Sequence, residues 1–115
     1  MTKILIVNPN TTASMTETIG AAAREVAAPG TEIVAVTSAM GPASIEGFYD
    51  EAFAIPGLIQ ALMNTPDADA GIIACFDDTG LDAARSAVRF PVVGICEAAL
   101  VTAARQTDIV HRTGR

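Results

Sequence analysis

Two cysteines, Cys75 and Cys96, are the side chains of this 115-residue sequence best suited to chemistry without a cofactor. Each follows a short apolar run that is typical of a buried strand, and each precedes a turn or a helix. Backbone N–H groups at a helix N-terminus stabilise a thiolate, the form of cysteine that acts as a nucleophile or a base. The alternative for either cysteine is a small, buried core residue.

The sequence lacks the residues on which most cofactor-dependent reactions rely. Lys3 is the only lysine, and it begins the first predicted strand, far from where a pyridoxal phosphate Schiff base would form. The sequence has no G-x-G-x-x-G, Walker A or G-x-S-x-G motif. Its only histidine, His111, lies near the C-terminus and is expected to be a solvated tail residue. We therefore expect thiol chemistry with no cofactor and no metal.

The hydrophobic pattern predicts four strands, at residues 4–7, 33–36, 71–75 and 90–95, with a helix after each. Strands that alternate with helices favour parallel pairing through right-handed crossovers. We predict an α/β fold: a flavodoxin-like parallel sheet of about four strands in the order 2-1-3-4, with helices on both faces.

The helix boundaries follow from capping and helix-breaking residues. Ser14 and Glu17 form an S-x-x-E capping box, which predicts the start of the first helix. The second helix is predicted over residues 50–64 with an interruption at Pro56, and the fourth over 97–105. We expect one domain over residues 1–105 and a truncated polar tail over residues 106–115.

Polar side chains converge at the edge formed by the carboxyl ends of the strands. Ligands of such sheets bind there, at the switch point between the first and third strands. Because Cys75 ends the third strand, we favour a functional role for Cys75 and a packing role for Cys96. A redox pair is the third possibility, since the two cysteines end neighbouring predicted strands. The residues predicted to bind substrate beside Cys75 are Asn8, Ser44, Phe48, Asp77 and Thr79.

Each of these substrate-binding residues has a structural alternative. Asn8 could be a turn residue before Pro9, and Ser44 a solvent-facing hydroxyl. Phe48 could cover the edge of the core. Asp77, with its neighbour Asp78, could cap a helix or face water, and Thr79 could be an N-cap.

The charge of the chain bears on its partners. The net charge is −6, from seven basic and thirteen acidic residues, which disfavours nucleic acid and anionic membranes. No apolar run approaches the roughly 20 residues of a membrane-spanning helix, and no signal peptide is evident. We expect a cytoplasmic protein with free thiols and a small-molecule substrate.

Four segments together resemble the aspartate/glutamate racemase superfamily, and most closely its hydantoin racemase group, which includes allantoin racemases. The segments are I-V-N-P-N-T-T at 6–12, P-A-S-I-E-G at 42–47, I-A-C-F-D-D at 73–78 and G-I-C-E-A-A at 94–99. The resemblance implies racemisation without a cofactor, by two cysteines on opposite faces of the substrate. It places one catalytic cysteine at Cys75 and gives none at Cys96. It also implies that Asn8, Ser44 and the backbone around Thr79 line the site.

Members of that superfamily have two similar α/β domains, and the second cysteine belongs to the second domain. The resemblance therefore implies that this chain is a fragment, the N-terminal half of a two-domain racemase fold with half of a site. The alternative function is a catalytically inactive domain that binds a small ligand or self-associates as a homo-oligomer.

Overall fold

The computed structural model describes residues 1–113 and consists of one parallel sheet with helices on both faces. The elements in chain order are β1 (Thr2–Asn8), α1 (Ala13–Val26), β2 (Thr31–Thr37), α2 (Phe48–Met63), β3 (Ala70–Ile73), α3 (Leu81–Ala87), β4 (Val92–Gly94) and α4 (Ile95–Thr113).

The four strands are parallel and lie in the order β2-β1-β3-β4, which confirms the predicted sheet. Val7 of β1 is in register with Val36 of β2 on one side and with Ile73 of β3 on the other. Ile73 in turn is in register with Gly94 of β4. The carboxyl ends of β1, β3 and β4 therefore lie side by side at one edge of the sheet.

One face of the sheet carries the main apolar core. Leu5 and Val7 point to this face of β1, where α2 and α3 cover them. Burying a leucine side chain contributes about 1.5–3 kcal/mol, so this cluster is a major source of stability. Its buried members are Leu5, Val7, Leu58, Leu62, Ala68, Ile73, Ala84 and Val92.

The opposite face of β1 packs against α1. The Asn8 side chain points to this face and donates a hydrogen bond to Thr16 Oγ1 of α1. Gly20 lets the helix approach closely, since a Cβ at that position would lie 3.1 Å from the Cβ of Ala35 in β2. A helix therefore covers each face, as the sequence predicted.

The predicted capping box at Ser14 and Glu17 does not form, so that prediction was wrong. Helix α1 begins one residue earlier, at Ala13, and Thr12 is the N-cap residue. The Thr12 hydroxyl makes no cap hydrogen bond and instead donates to the Ala43 carbonyl at 2.7 Å. Ser14 is the second residue of the helix and therefore does not occupy the N-cap position that a capping box requires.

Helix α2 is continuous through Pro56, where the sequence predicted an interruption. A proline inside a helix leaves the carbonyl four residues earlier without its usual partner. That carbonyl belongs to Ala52, and both Ala52 and Pro56 are exposed. Water can therefore replace the lost hydrogen bond, and the helix continues.

Helix α4 extends beyond the predicted end at residue 105. It contacts β4 near its start and continues to Thr113, so the predicted polar tail is helical up to that residue. Residues 114 and 115 of that tail lie outside the described residues. All side chains from residue 99 to 109 are exposed, including those of Leu100, Val101 and Ile109. Within residues 1–113, no helix is both long and apolar enough to span a bilayer.

Candidate active site

Cys75 lies in the turn between β3 and α3. The Ala74 N–H still bonds the Val7 carbonyl at 2.9 Å, and the chain then turns so that the Asp78 N–H donates to the Cys75 carbonyl at 3.0 Å. Asp78 has a φ of 49°, in the left-handed region that aspartate tolerates better than most residues. Cys75 itself is half-buried and packs against the edge of the core cluster. Its thiol therefore lies at the boundary between core and solvent.

Thr79 connects Cys75 to Glu51 in the first turn of α2. The Cys75 Sγ lies 3.4 Å from the Thr79 Oγ1, and the Thr79 hydroxyl donates to Glu51 Oε1, also at 3.4 Å. Thr79 is 1% exposed, whereas Glu51 is half-buried. Helix α3 begins at Leu81 with Gly80 as its N-cap residue, so Thr79 does not cap this helix.

Asp78 caps α4. Its two carboxylate oxygens accept the backbone N–H groups of Cys96 at 3.0 Å and of Glu97 at 2.9 Å. The first N–H groups of a helix have no partner within the helix, and α4 follows β4 without a loop that could supply one. Gly94 leaves room for this contact, since a Cβ there would lie 2.0 Å from Asp78 Oδ1. Asp78 therefore ties the turn that carries Cys75 to the start of α4.

The Asn8 side chain organises the loop after β1. Three acceptors share the two protons of its amide nitrogen: Asn10 Oδ1 at 2.9 Å, the Thr12 carbonyl at 3.2 Å and Thr16 Oγ1 at 3.1 Å. Its Oδ1 accepts the Asn10 N–H at 3.3 Å. Asn8 is 1% exposed, so the structure gives it a loop-shaping role, while its predicted contact with a substrate stays a prediction.

Ser44, Phe48 and Asp77 are all exposed around the same edge. The loop that carries Ser44 is held to the Asn8 loop by the hydrogen bond from Thr11 N to the Pro42 carbonyl at 3.0 Å. Thus the structure brings Cys75 and Thr79 into contact and leaves Ser44, Phe48 and Asp77 facing solvent nearby. Their roles in binding substrate stay predictions.

Four exposed aromatic side chains lie on the first half of α2 and in the Cys75 turn. We call Phe48, Tyr49, Phe53 and Phe76 the aromatic patch; they are 92%, 77%, 56% and 72% exposed. Tyr49 and Phe53 of α2 are in ring contact with centroids 4.9 Å apart, and Phe76 directly follows Cys75. A cavity of about 530 Å³ lies instead at the opposite edge of the sheet, between Leu62, Met63 and Phe90. This cavity therefore lies away from Cys75.

Charged groups near the start of α4 form an exposed ion pair. Arg85 of α3 donates to both carboxylate oxygens of Glu97, at 2.6 and 3.2 Å, and to the Val92 carbonyl at 3.0 Å. This hydrogen bonding, with a smaller contribution from the charge of Arg85, holds the pKa of Glu97 below its usual value. Within the described part of the chain, no three acidic, histidine or cysteine side chains are grouped as a metal site.

Sequence reasoning did not identify Glu51. An acidic residue in the first turn of a helix is common, because it complements the helix dipole. Nothing local distinguishes Glu51 from its neighbour Asp50, which accepts the Glu46 N–H at 2.9 Å. Its approach to Thr79, 28 residues along the chain, arises only from the packing of α2 beside the Cys75 turn.

The sequence model of the Asp/Glu/Hydantoin racemase family matches residues 4–114. The chain belongs to this family. Two of its relatives are hydantoin racemases. The protein of Pseudomonas sp. (strain NS671) is 48% identical to this chain over 103 residues, and that of Paenarthrobacter aurescens is 46% identical over 103 residues. The allantoin racemase from Klebsiella pneumoniae is a structural relative, with a TM-score of 0.88 and 50% identity over 91% of this chain.

The chain spans less than half the length of these relatives. The two matches to hydantoin racemases include 88% and 85% of this chain but 41% and 43% of the relatives' own sequences. The structural match to the K. pneumoniae protein covers 44% of that chain. The allantoin racemase from Pseudomonas fluorescens agrees, with a TM-score of 0.84, 43% identity, and coverage of 89% of this chain and 44% of its own.

Proposed function

We propose that Cys75 is one of two thiols that racemise a 5-substituted hydantoin, or a related cyclic amide such as allantoin, without a cofactor. The observation that carries the proposal is the position of the Cys75 thiol, at the carboxyl edge of the sheet beside the β1–β3 switch point. The chain's relatives are named hydantoin and allantoin racemases, which supports the same reaction. We also infer a cytoplasmic location, where both cysteines stay reduced.

The proposed reaction transfers one proton at the chiral carbon. A thiolate removes the proton from this carbon and becomes a thiol, and the electron pair of the broken C–H bond delocalises into the neighbouring carbonyl as an enolate. A second thiol on the opposite face returns a proton to the carbon and becomes a thiolate. Atoms and charge balance, and the free protein is regenerated with the two thiols in exchanged states.

Cys75 can serve only one face of the substrate, so the proposal requires a second thiol. Cys96 is poorly placed for this role, because it lies in the first turn of α4 and its backbone N–H is bonded to Asp78 of the turn that carries Cys75, at the same edge of the sheet. We infer that the second thiol comes from sequence beyond this half-length match or from another copy of the chain.

The aromatic patch supports a substrate with an apolar substituent. Phe76 directly follows Cys75, and its exposed ring offers an apolar contact next to a reacting carbon. In this proposal Phe48 contacts the substituent, while Ser44 and Asp77 hydrogen-bond the polar ring atoms. Asn8 and the backbone near Thr79 complete the site.

The test is proton exchange at the chiral carbon in deuterated buffer. Single-enantiomer 5-substituted hydantoins and allantoin are incubated with the chain, and deuterium uptake and optical rotation are followed. We expect uptake by the wild-type chain, none above background by Cys75→Ser, and wild-type uptake by the matched control Cys96→Ser. Wild-type uptake by Cys75→Ser would overturn the role of Cys75.

An inactive, self-associating domain is the second candidate, and the exposed apolar side chains favour it. The aromatic patch and the exposed Leu100 and Val101 of α4 are unusual on an isolated domain. If folded protein shows no uptake by any variant and sediments as a dimer or larger species, this candidate replaces the first. A folded monomer at high concentration would exclude self-association.

A further inference from the structure

We propose that Glu51 is a positioning residue, which acts through the Thr79 hydroxyl to fix the direction of the hydrogen bond at Cys75 and so holds Cys75 as the protonated thiol in the resting site. Its importance for turnover rests on the proposed racemase function. The hydrogen-bond direction itself can be tested without any substrate.

The three groups form a continuous chain of contacts. Cys75 Sγ and Glu51 Oε1 each lie 3.4 Å from the same atom, Thr79 Oγ1. Thr79 is 1% exposed, so water has almost no access to its hydroxyl as an alternative partner. The hydroxyl must therefore satisfy its hydrogen bonding with Cys75 and Glu51.

Counting protons sets the direction of both hydrogen bonds. A threonine hydroxyl has one proton to donate, and an ionised carboxylate can only accept. The proton of Thr79 is therefore directed to Glu51, and the contact with Cys75 is satisfied when the thiol S–H donates to Thr79 Oγ1. A thiolate at Cys75 would compete with Glu51 for the single hydroxyl proton, and one acceptor would be left without a partner.

The surrounding charges leave Glu51 as the group that sets this direction. The other charged side chains near Cys75 on the surrounding elements are Asp50 of α2, Asp77 and Asp78 of its own turn, Asp82 of α3, and the pair formed by Arg85 of α3 and Glu97 of α4. Asp78 is engaged by the N–H groups of Cys96 and Glu97, and Asp77 is exposed. Among these groups, Glu51 alone shares a hydrogen-bond partner with Cys75.

The consequence for racemisation is a preferred starting state. A two-thiol site needs one protonated and one deprotonated cysteine when the substrate arrives. A Cys75 held as the thiol begins as the proton donor, which leaves the opposite cysteine to begin as the base. When Cys75 later takes a proton from the other enantiomer, the Thr79 hydroxyl must first rotate away from Glu51.

The test measures alkylation of Cys75 by iodoacetamide, because the thiolate is the form that reacts. The rate at Cys75 is followed across pH 6–10 by peptide mass spectrometry, which separates it from Cys96. Glu51→Gln can donate to Thr79 Oγ1 and frees the hydroxyl proton for a thiolate. We expect Glu51→Gln to raise the rate at neutral pH roughly three- to tenfold, because the freed hydroxyl proton can then be donated to the thiolate.

Three further variants separate the hydrogen bond from the charge. Asp77→Asn removes a charge from the same turn without touching Thr79 and should change the rate less than about twofold. Glu51→Asp keeps the charge but is too short for the bond, so it should also raise the rate. A Thr79→Val background lacks the hydroxyl that links Glu51 to Cys75. In that background, Glu51→Gln should change the alkylation rate no more than Asp77→Asn does.

Several results would overturn the inference. These are an unchanged rate in Glu51→Gln, equal effects of Glu51→Gln and Asp77→Asn, or an undiminished effect of Glu51→Gln in the Thr79→Val background. Circular dichroism must show that each variant is folded. If Glu51→Gln does not fold, the alkylation rate of Glu51→Asp tests the inference in its place. The alkylation test needs no substrate, so its outcome does not depend on the proposed racemase function. If only that function is wrong, deuterium uptake is absent while the alkylation rates still follow the expectations above.

Discussion

The Asp78 carboxylate accepts the backbone N–H of Cys96 at 3.0 Å and so joins two turns that lie 18 residues apart in the sequence. The same carboxylate accepts the N–H of Glu97. One side chain thus serves two elements, the turn that carries Cys75 and the first turn of α4.

Removing the Asp78 cap should destabilise the chain. Asp78→Ala leaves two helix N–H groups without their partner, which costs about 0.5–2 kcal/mol, and alanine at a φ of 49° adds backbone strain to this cost. Urea denaturation followed by circular dichroism measures the free energy of unfolding. Asp77→Ala is the matched control, because Asp77 is exposed in the same turn. Equal stability of the two variants would show that the cap contributes nothing.

Adding a methyl group at Gly94 should disturb the same contact from the other side. A Cβ at Gly94 would lie 2.0 Å from Asp78 Oδ1, so Gly94→Ala should cost about 1–3 kcal/mol through overpacking. Gly47→Ala is the control, since a Cβ there meets nothing within 4 Å and its backbone is extended. In an Asp78→Ala background the cost of Gly94→Ala should fall, and additive costs in thermal unfolding would argue against the clash.

Replacing Asn8 should cost more than replacing an exposed polar residue. Asn8→Ala removes the hydrogen bonds to Asn10, Thr16 and the Thr12 carbonyl from a largely buried setting and leaves the Asn10 N–H without its acceptor, which costs about 2 kcal/mol. Thr18→Ala is the control: Thr18 is exposed, donates to Ser14 O, and should change stability by less than about 0.5 kcal/mol. A free energy of unfolding for Asn8→Ala within the control range would show that the Asn8 bonds are dispensable.

The Arg85–Glu97 ion pair should stabilise the folded chain only at pH values high enough for Glu97 to be ionised. Hydrogen bonding to Arg85 holds the pKa of Glu97 below its usual 4.5, so the folded state binds this proton less readily than the unfolded state. The contribution is therefore present at neutral pH and is lost as the pH falls through the lowered pKa of the folded state. The melting temperature of wild type should exceed that of Glu97→Gln at pH 7, and the difference should shrink toward pH 3.

An Arg85→Gln background provides the control for this pH dependence. There Glu97→Gln should change the melting temperature less at pH 7 than it does in wild type, since Arg85 is absent and only the interaction of Glu97 with the α4 dipole remains. A wild-type advantage that persists undiminished at pH 3 would mean that the ionised pair is not its source. The effect should be small because the pair is exposed and screened by salt.

The order of the strands could be predicted from the sequence because the apolar runs and their spacing leave few ways to pair. The position of Cys75 at the carboxyl edge follows from that order. The start of α1 could not be predicted, because Thr12 bonds Ala43 rather than its own helix. The position of Glu51 could not either, because it depends on α2 crossing beside a turn 28 residues away. Local patterns predict elements well, whereas hydrogen bonds between elements depend on the completed fold.

Amide hydrogen exchange in helix α4 should be sensitive to whatever packs against this helix. From residue 99 to 109 its side chains are exposed, and so short a helical segment is only marginally stable in water without a packed face. Amide hydrogens in this stretch should therefore exchange with solvent far faster than those of β1. Whatever comes to lie along Leu100 and Val101, whether more polypeptide or a second copy, would slow that exchange residue by residue and so reveal its footprint.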